Sequence, residues 1–302
     1  MRKIKKILAG ALIAITSLTL LAGCGSTSAN EKKIGIVLST LNNPFFVKMK
    51  DGASEEADKL GYKLVVLDSQ NDPAKERSNV EDLVQMGVSA VLLNPTDSDA
   101  VIGAIEVANE NDVPVITLDR QSNGGEVVSH IASDNVKGGE MAAEYALELF
   151  GKDSQINVVE LQGTPGASAT RDRGEGFHKI LDGMPNVNFV SIQPADFDRQ
   201  KGLQVMENVI QGNNDIQVIF AHNDEMALGA AKAVAASNLD AKIIGFDGIE
   251  DGLEAVEKGE MQATVAQQAD LIGAMGVDLV DQLEHGEIIE PEYAADLQIV
   301  TQ

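Results

Sequence analysis

The feature that most constrains this chain is an alternation that runs through it twice. From Lys33, short β-branched runs alternate with amphipathic stretches of helical period: KIGIVLST, Pro44 to Leu60, YKLVVLDS, Pro73 to Met86, SAVLLNPT, Asp99 to Asn111 and VPVITLDR. The series starts again at INVVELQG and continues through Thr170 to Leu181, NFVSIQPA, Arg199 to Ile210, IQVIFAHN, Asp224 to Ser237 and KIIGFDG. Strands separated by whole helices do not pair as hairpins. Each helix carries the chain back across the sheet, so neighbouring strands run parallel. The two series match in detail, residues 61–70 and their helix corresponding to 187–196 and theirs, and VITLDR to IIGFDG. Repeat units of this size predict an α/β fold of two similar doubly wound parallel-sheet domains facing each other, not a solenoid. With 44% hydrophobic residues, the chain has the apolar material for such cores.

The stretch before the first strand follows a different plan. Residues 2–6 are basic, Ile7 to Leu21 is an apolar run interrupted by Thr16, Ser17 and Thr19, and small residues follow, which is the layout of a removable secretory signal. The run is too short and too polar for a membrane span. Cys24, the only cysteine, stands directly after Leu21-Ala22-Gly23 and resembles the lipobox of bacterial lipoproteins. That resemblance implies a leader over residues 1–23, an acylated Cys24, a polar tether over 24–30, and a protein held outside the cytoplasm at the cell membrane. A single cysteine excludes an intramolecular disulfide, a Cys-rich zinc site and an iron–sulfur cluster. Lys and Arg number 23 against 47 Asp and Glu, a net charge of −24 that repels phosphate backbones, so nucleic acid is not an expected partner.

In an open parallel sheet, ligands bind beyond the carboxyl ends of the strands, and two such edges facing each other make a cleft. The residues just after the strands are Asn43, Phe45 and Phe46, then Asn94, Asp119, Arg120, Arg171, Phe197, Asn223, Asp247 and Gln267. Asn, Asp, Arg and Gln have forked ends that engage two adjacent hydroxyls at once. The three phenylalanines offer flat faces to C–H surfaces, in a chain with 8 Phe, 3 Tyr and no Trp. Asp119 and Asp247 balance Arg120 and Arg171, which favours a neutral polyol over a phosphate or carboxylate. The arginines are also expected to hold both carboxylates ionised. Taken singly, Asn94 and Asp119 read as ordinary turn residues; the functional reading rests on the convergence of the set at one edge.

At STLNNPFF, LNPTDSDAV, VITLDRQ, SHIASDNV, RDRGEGF, QPADFDR, NDEMALGA and GFDG, the sequence resembles the D-ribose-binding members of the periplasmic-binding-protein family, which serve bacterial ABC importers. The resemblance covers essentially the whole chain after Cys24. It implies the type I form of that fold, with D-ribose contacted by Asn43, Phe45, Phe46, Asn94, Asp119, Arg120, Arg171, Phe197, Asn223, Asp247 and Gln267. It further implies a monomer that delivers sugar to a permease with a separate ATPase subunit. It also implies a three-segment hinge, with an N-terminal domain of residues 31–133 plus 268–296 and a C-terminal domain of 134–267 plus 297–302.

Other readings fit less well. There is no G-x-x-x-x-G-K-[ST], and Gly163-Thr164-Pro165-Gly166 lacks the Lys and Ser/Thr that hold phosphate and Mg²⁺. Gly166-Ala167-Ser168-Ala169-Thr170 misses the last glycine of a nucleophile elbow. His130, His178, His222 and His285 lack metal-ligand spacing and read as surface or capping residues, so neither a metal nor another cofactor is expected. A sugar-modifying enzyme with Asp119 and Asp247 as acid and base, and a binder of another small neutral sugar such as allose or galactose, are the alternatives. Galactose-type binders stack sugar on Trp and carry a D-x-[DN]-x-[DN]-G calcium loop, and both are missing here. A sugar-responsive repressor would carry a basic helix-turn-helix where this chain has its leader.

Overall fold

The computed structural model describes residues 32–302; the leader, Cys24 and the tether lie outside the described residues. The first lobe begins β1 (Lys33–Leu38), α1 (Pro44–Leu60), β2 (Lys63–Asp68), α2 (Pro73–Gln85), β3 (Ala90–Leu93), α3 (Ile102–Asn109), β4 (Val115–Leu118) and β5 (Ser129–Ser133). The second runs α4 (Asn135–Phe150), β6 (Ile156–Gln162), α5 (Ser168–Leu181), β7 (Val187–Pro194), α6 (Arg199–Gly212), β8 (Val218–Ala221), α7 (Asp224–Ser237), β9 (Lys242–Asp247), α8 (Glu250–Glu257) and β10 (Ala263–Ala266). The chain ends with α9 (Ala269–Glu284), β11 (Glu292–Ala295) and β12 (Gln298–Thr301). Among the described residues, no helix is long and apolar enough to cross a membrane.

Two six-stranded sheets result, ordered β11-β5-β4-β3-β1-β2 and β12-β10-β9-β8-β6-β7. The orders superimpose strand for strand, as two doubly wound halves should. All pairings in the first sheet are parallel. In the second, β12 pairs antiparallel with β10, an edge exception that the repeat does not disclose. Because β11 and β12 lie in different sheets, the chain changes lobe between β5 and α4, between β10 and α9, and between β11 and β12.

Local chemistry sets the helix starts nearest the cleft. Asn43 caps α1, its side chain accepting from the Phe45 N–H at 2.9 Å, with Pro44 at the first helical position and Gly61 closing the helix in the left-handed region at φ 78°. The central strands are buried on both faces, β3, β4 and β8 entirely, as sheets sandwiched between helix layers must be. The alternation read from the sequence passed over β5 and α4. The reason is visible in α4, whose Gly138-Gly139 pair weakens a helical signal. The same glycine lets α4 approach α5: a Cβ on Gly139 would lie 2.1 Å from the Arg173 carbonyl oxygen.

Candidate functional site

The carboxyl edges of the two sheets meet across a cleft, bridged directly by the Ser98 N–H on the Gly166 carbonyl at 3.0 Å and the Gln121 N–H on Ser168 Oγ at 2.9 Å. Within it, a narrow space of about 10 Å³ is lined by Asn43, Phe45, Phe46, Asp119, Arg120 and Phe197 and by Ala169, Arg173 and Asp247. The α1 cap sets the first wall, because it fixes the turn from which Phe45 and Phe46 project, their rings edge to face at 5.4 Å. The Arg120 guanidinium lies between aromatic rings from opposite lobes, 5.1 Å from Phe46 and 5.0 Å from Phe197.

One sequence-derived assignment is corrected. Arg171 is not in this group: its side chain is 52% exposed and pairs with its neighbour Asp172 at 2.7 Å. Arg173 occupies the site instead, 3% exposed and 3.3 Å from Asp247. Two residues apart on a 3.6-residue turn point to nearly opposite faces, so only one can face the cleft. A signal for the right one was present. Ala169, Arg173, Phe177 and Leu181 form a buried stripe at i, i+4 spacing, and an arginine within such a stripe needs a buried partner. Arg173 donates from Nε to Asn135 Oδ1 at 2.8 Å and from Nη1 to the His222 carbonyl, and its guanidinium lies 3.8 Å from the Phe246 ring centre. The exchange of arginines keeps the charge balance at two against two.

Asn94 is fully buried but committed to the protein. Its Oδ1 accepts from the Ser39 backbone N–H and hydroxyl, and its Nδ2 donates to the Leu118 carbonyl at 3.0 Å and reaches Asp119 Oδ2 at 3.5 Å. It stands behind Asp119 and orients it. Asn223 caps α7 and donates to the Phe197 carbonyl at 3.3 Å, holding the loop that carries that ring. Gln267 donates to Asp247 Oδ1 at 2.9 Å.

Three buried polar atoms in and beside this space have no hydrogen-bond partner among the described residues: Asp119 Oδ1, Arg120 Nε and Gln267 Oε1. Two accept and one donates. Burial also corrects the expected ionisation. It pushes the Asp119 carboxyl up against the pull of Arg173 and Arg120, and raises Asp247 to about 7 despite Arg173. Desolvation outweighs the arginines: Asp119 Oδ1 lacks a donor, and the Asp119 charge adds to the rise at Asp247. The backbone is strained at the same places, with Asp119, Phe197 and Asp247 at φ 63°, 58° and 111°.

The histidines also depart from the sequence reading. His222 is fully buried, and its Nε2 meets Glu160 Oε1 at 2.8 Å, while His178 Nε2 meets the other oxygen at 2.7 Å. The Gly163 N–H points at His222 Nδ1 at 3.4 Å, which assigns the proton to Nε2. His130, mostly buried against Thr117, is pushed down to about 4 by burial. Among the described residues, no group of His, Cys, Asp or Glu is placed to hold a metal ion.

A profile described as "Periplasmic binding protein domain" matches residues 34–288. The ribose import binding protein RbsB of Haemophilus influenzae is 51% identical over 292 residues, covering 96% of this chain and 99% of that protein. RbsB of Bacillus subtilis is 49% identical over 302 residues, covering 96% and 98%. Among solved structures, the Caulobacter myo-inositol binding protein bound to myo-inositol is 34% identical with a TM-score of 0.84, covering 89% of this chain and 93% of that one.

Proposed function

The chain belongs to the periplasmic binding protein family, and from that premise we propose that it captures D-ribose in the cleft between its lobes and delivers it to an ABC transporter permease for import. The observation that carries the reading is the set of unpartnered buried atoms, Asp119 Oδ1, Arg120 Nε and Gln267 Oε1, around a small space walled by Phe46 and Phe197. A hydroxyl both donates and accepts, so one polyol satisfies all three where an anion or a hydrocarbon cannot. Its hydroxyls supply the donor that Asp119 Oδ1 lacks and donate to Asp247 as well. Bound sugar therefore strengthens the charged form of both carboxyls.

The arrangement fits binding: each carboxylate has an arginine close by, and the pairs present acceptors and donors side by side to the hydroxyls of a polyol. Contacts from both lobes to one small ligand favour a closed arrangement by differential contact. The three lobe changes, at Ser133-Asp134, Gln267-Gln268 and Asp296-Leu297, would serve as the hinge between an N-terminal domain of 31–133 plus 268–296 and a C-terminal domain of 134–267 plus 297–302. The protein would work outside the cytoplasm as a monomer, anchored through a lipid on Cys24, with the ATPase on a separate subunit. Loss of membrane partitioning by Cys24→Ala in detergent phase separation tests the anchor; a variant that still partitions refutes it.

Melting curves with added sugars test the ligand. A ligand bound only by the folded state adds about 4 kcal/mol at a thousandfold excess over Kd, so D-ribose should raise the melting temperature by several degrees and be recovered unchanged. Ribose 5-phosphate should give little shift, because the balanced site has no surplus cation for its dianion. Galactose and allose should shift it less than ribose. Equal shifts from ribose and its phosphate, or conversion of the ribose, would overturn the proposal.

A further inference from the structure

We infer that Gly163 is a specificity-determining position, which seats the Phe197 ring and through it sets the width of the cleft. The inference rests on the sugar-cleft reading above and extends it to a residue that has no polar group to offer. Gly163 follows β6 at the carboxyl edge of the second sheet. A Cβ on it would lie 2.0 Å from Phe197 Cζ, 2.3 Å from Cε1 and 2.4 Å from Cε2. The tip of the ring thus rests on main chain, in the volume that every other residue type fills with its side chain.

The glycine is not required by its own backbone. Gly163 is absent from the positive-φ glycines, unlike Gly166 three residues on at φ 89°. What demands glycine is the contact. Nor can the ring easily retreat with its main chain. Asp196 and Phe197 both sit in the left-handed region, at φ 54° and 58°, and their turn is pinned by the Ala195 N–H on the Gln162 carbonyl at 2.8 Å and the Asp198 N–H on the Ala195 carbonyl at 3.0 Å. Asn223 holds the Phe197 carbonyl from another side. On its open side the ring faces Arg120 and Arg173, at 5.0 and 5.8 Å, and the space between them. A side chain at 163 displaces the ring from this seat toward the cleft, into the space beside Arg120 and the opening of about 280 Å³ that Phe197 borders with Asn42, Asn43 and Phe46. The site then narrows without losing any of its hydrogen-bonding groups.

Calorimetric titration of the wild type, Gly163→Ala, Phe197→Leu and the double variant, with D-ribose and the one-carbon-shorter D-erythrose, tests this. Gly163→Ala should weaken ribose at least tenfold and erythrose by less. In the Phe197→Leu background, the same substitution should cost less than threefold, because the shorter side chain no longer reaches the added methyl. A Gly163→Ala protein within threefold of wild type for ribose overturns the inference, as does an equal loss with Phe or Leu at 197. Should the wild type itself fail to bind ribose, the sugar reading falls separately. NMR of ring-¹³C phenylalanine then decides the seat: Gly163→Ala should move the ring signals that vanish in Phe197→Leu, and unmoved signals refute it.

Discussion

The fourth strand of each series ends in the same way: β4 runs into Asp119 at φ 63° and β9 finishes on Asp247 at φ 111°, both carboxyls buried at the cleft. The cations beside them have different origins. Arg120 is the next residue after Asp119, whereas Gly248 follows Asp247, and the second lobe's arginine comes from helix α5. In the first lobe the counterpart of α5 is α1, which supplies an aromatic ring, Phe46. The second lobe takes its ring, Phe197, from the loop after β7. A duplicated backbone therefore repeats the carboxylates, while rings and guanidiniums come from non-equivalent places. The two walls are complementary rather than identical, which suits a ligand with no symmetry of its own.

Buried glutamates sharpen the contrast. Glu76 in the first lobe accepts from the Thr96 N–H and hydroxyl on one oxygen, leaves the other unpartnered, and is pushed up to about 7 by burial. Glu160 in the second is equally buried, but hydrogen bonds from His178 and His222 outweigh that burial and hold it down at about 2. The first glutamate is under-satisfied and the second fully engaged.

The largest effect should come from separating the two arginines of α5. Arg173→Ala leaves Asp247 without its cation and should weaken ribose by about 30- to several thousand-fold, the usual 2–5 kcal/mol for a broken buried charge pair. Arg171→Ala should change affinity by less than about threefold. Titration calorimetry reads both. Comparable losses would mean that the helix face has been misassigned.

A smaller effect, on stability, should distinguish the glutamates. Glu160→Gln should cost about 1–3 kcal/mol by denaturant unfolding, as expected for hydrogen bonds to a charged group. It should also change the alkaline profile. The hydrogen bond that His178 donates to Glu160 leads in raising His178 from 6.5 to about 9, so this contribution is full below pH 6.5 and is lost as pH rises through 9; the variant should keep only the smaller part due to Asp182. Glu76→Gln should have the smallest effect, within about 1 kcal/mol near neutral pH. Because the Glu76 carboxyl is raised from 4.5 to about 7, its contribution is present below pH 4.5 and fades as pH rises through 7. The variant should flatten that part of the curve, leaving the parts due to Asp247, Asp119 and Asp224, which burial also raises. Parallel curves for the two variants would erase the distinction between the lobes.

Periodicity and turn chemistry made much of this legible. The limits of α1 and α7 follow from Asn43-Pro44 and from Asn223, because caps act within a few residues of their own helix. Asp119, Arg120 and Asp247 could be picked out because a strand end is a fixed place relative to its sheet. Arg171 stands in the sequence-derived set, and Arg173 does not, because position after a strand carries no information about which face of the following helix a residue occupies. Asn94 shows a different limit: an amide at the right edge can be consumed by Ser39, Leu118 and Asp119.

The sequence by itself determined the repeated α/β architecture, since hydrophobic period and helix caps are local properties that any fold of the chain must respect. It also determined the chemical character of the cleft, through the residue types that follow the strands. The tertiary structure decided which arginine enters the cleft, that β12 turns antiparallel at a sheet edge, that Glu160 and two histidines close into one network, and that burial raises the site carboxyls. Each of these depends on groups far apart in sequence, 74 residues for Arg173 and Asp247 and 62 for Glu160 and His222, brought together away from water. Desolvation belongs to the assembled interior and to no short segment of the chain.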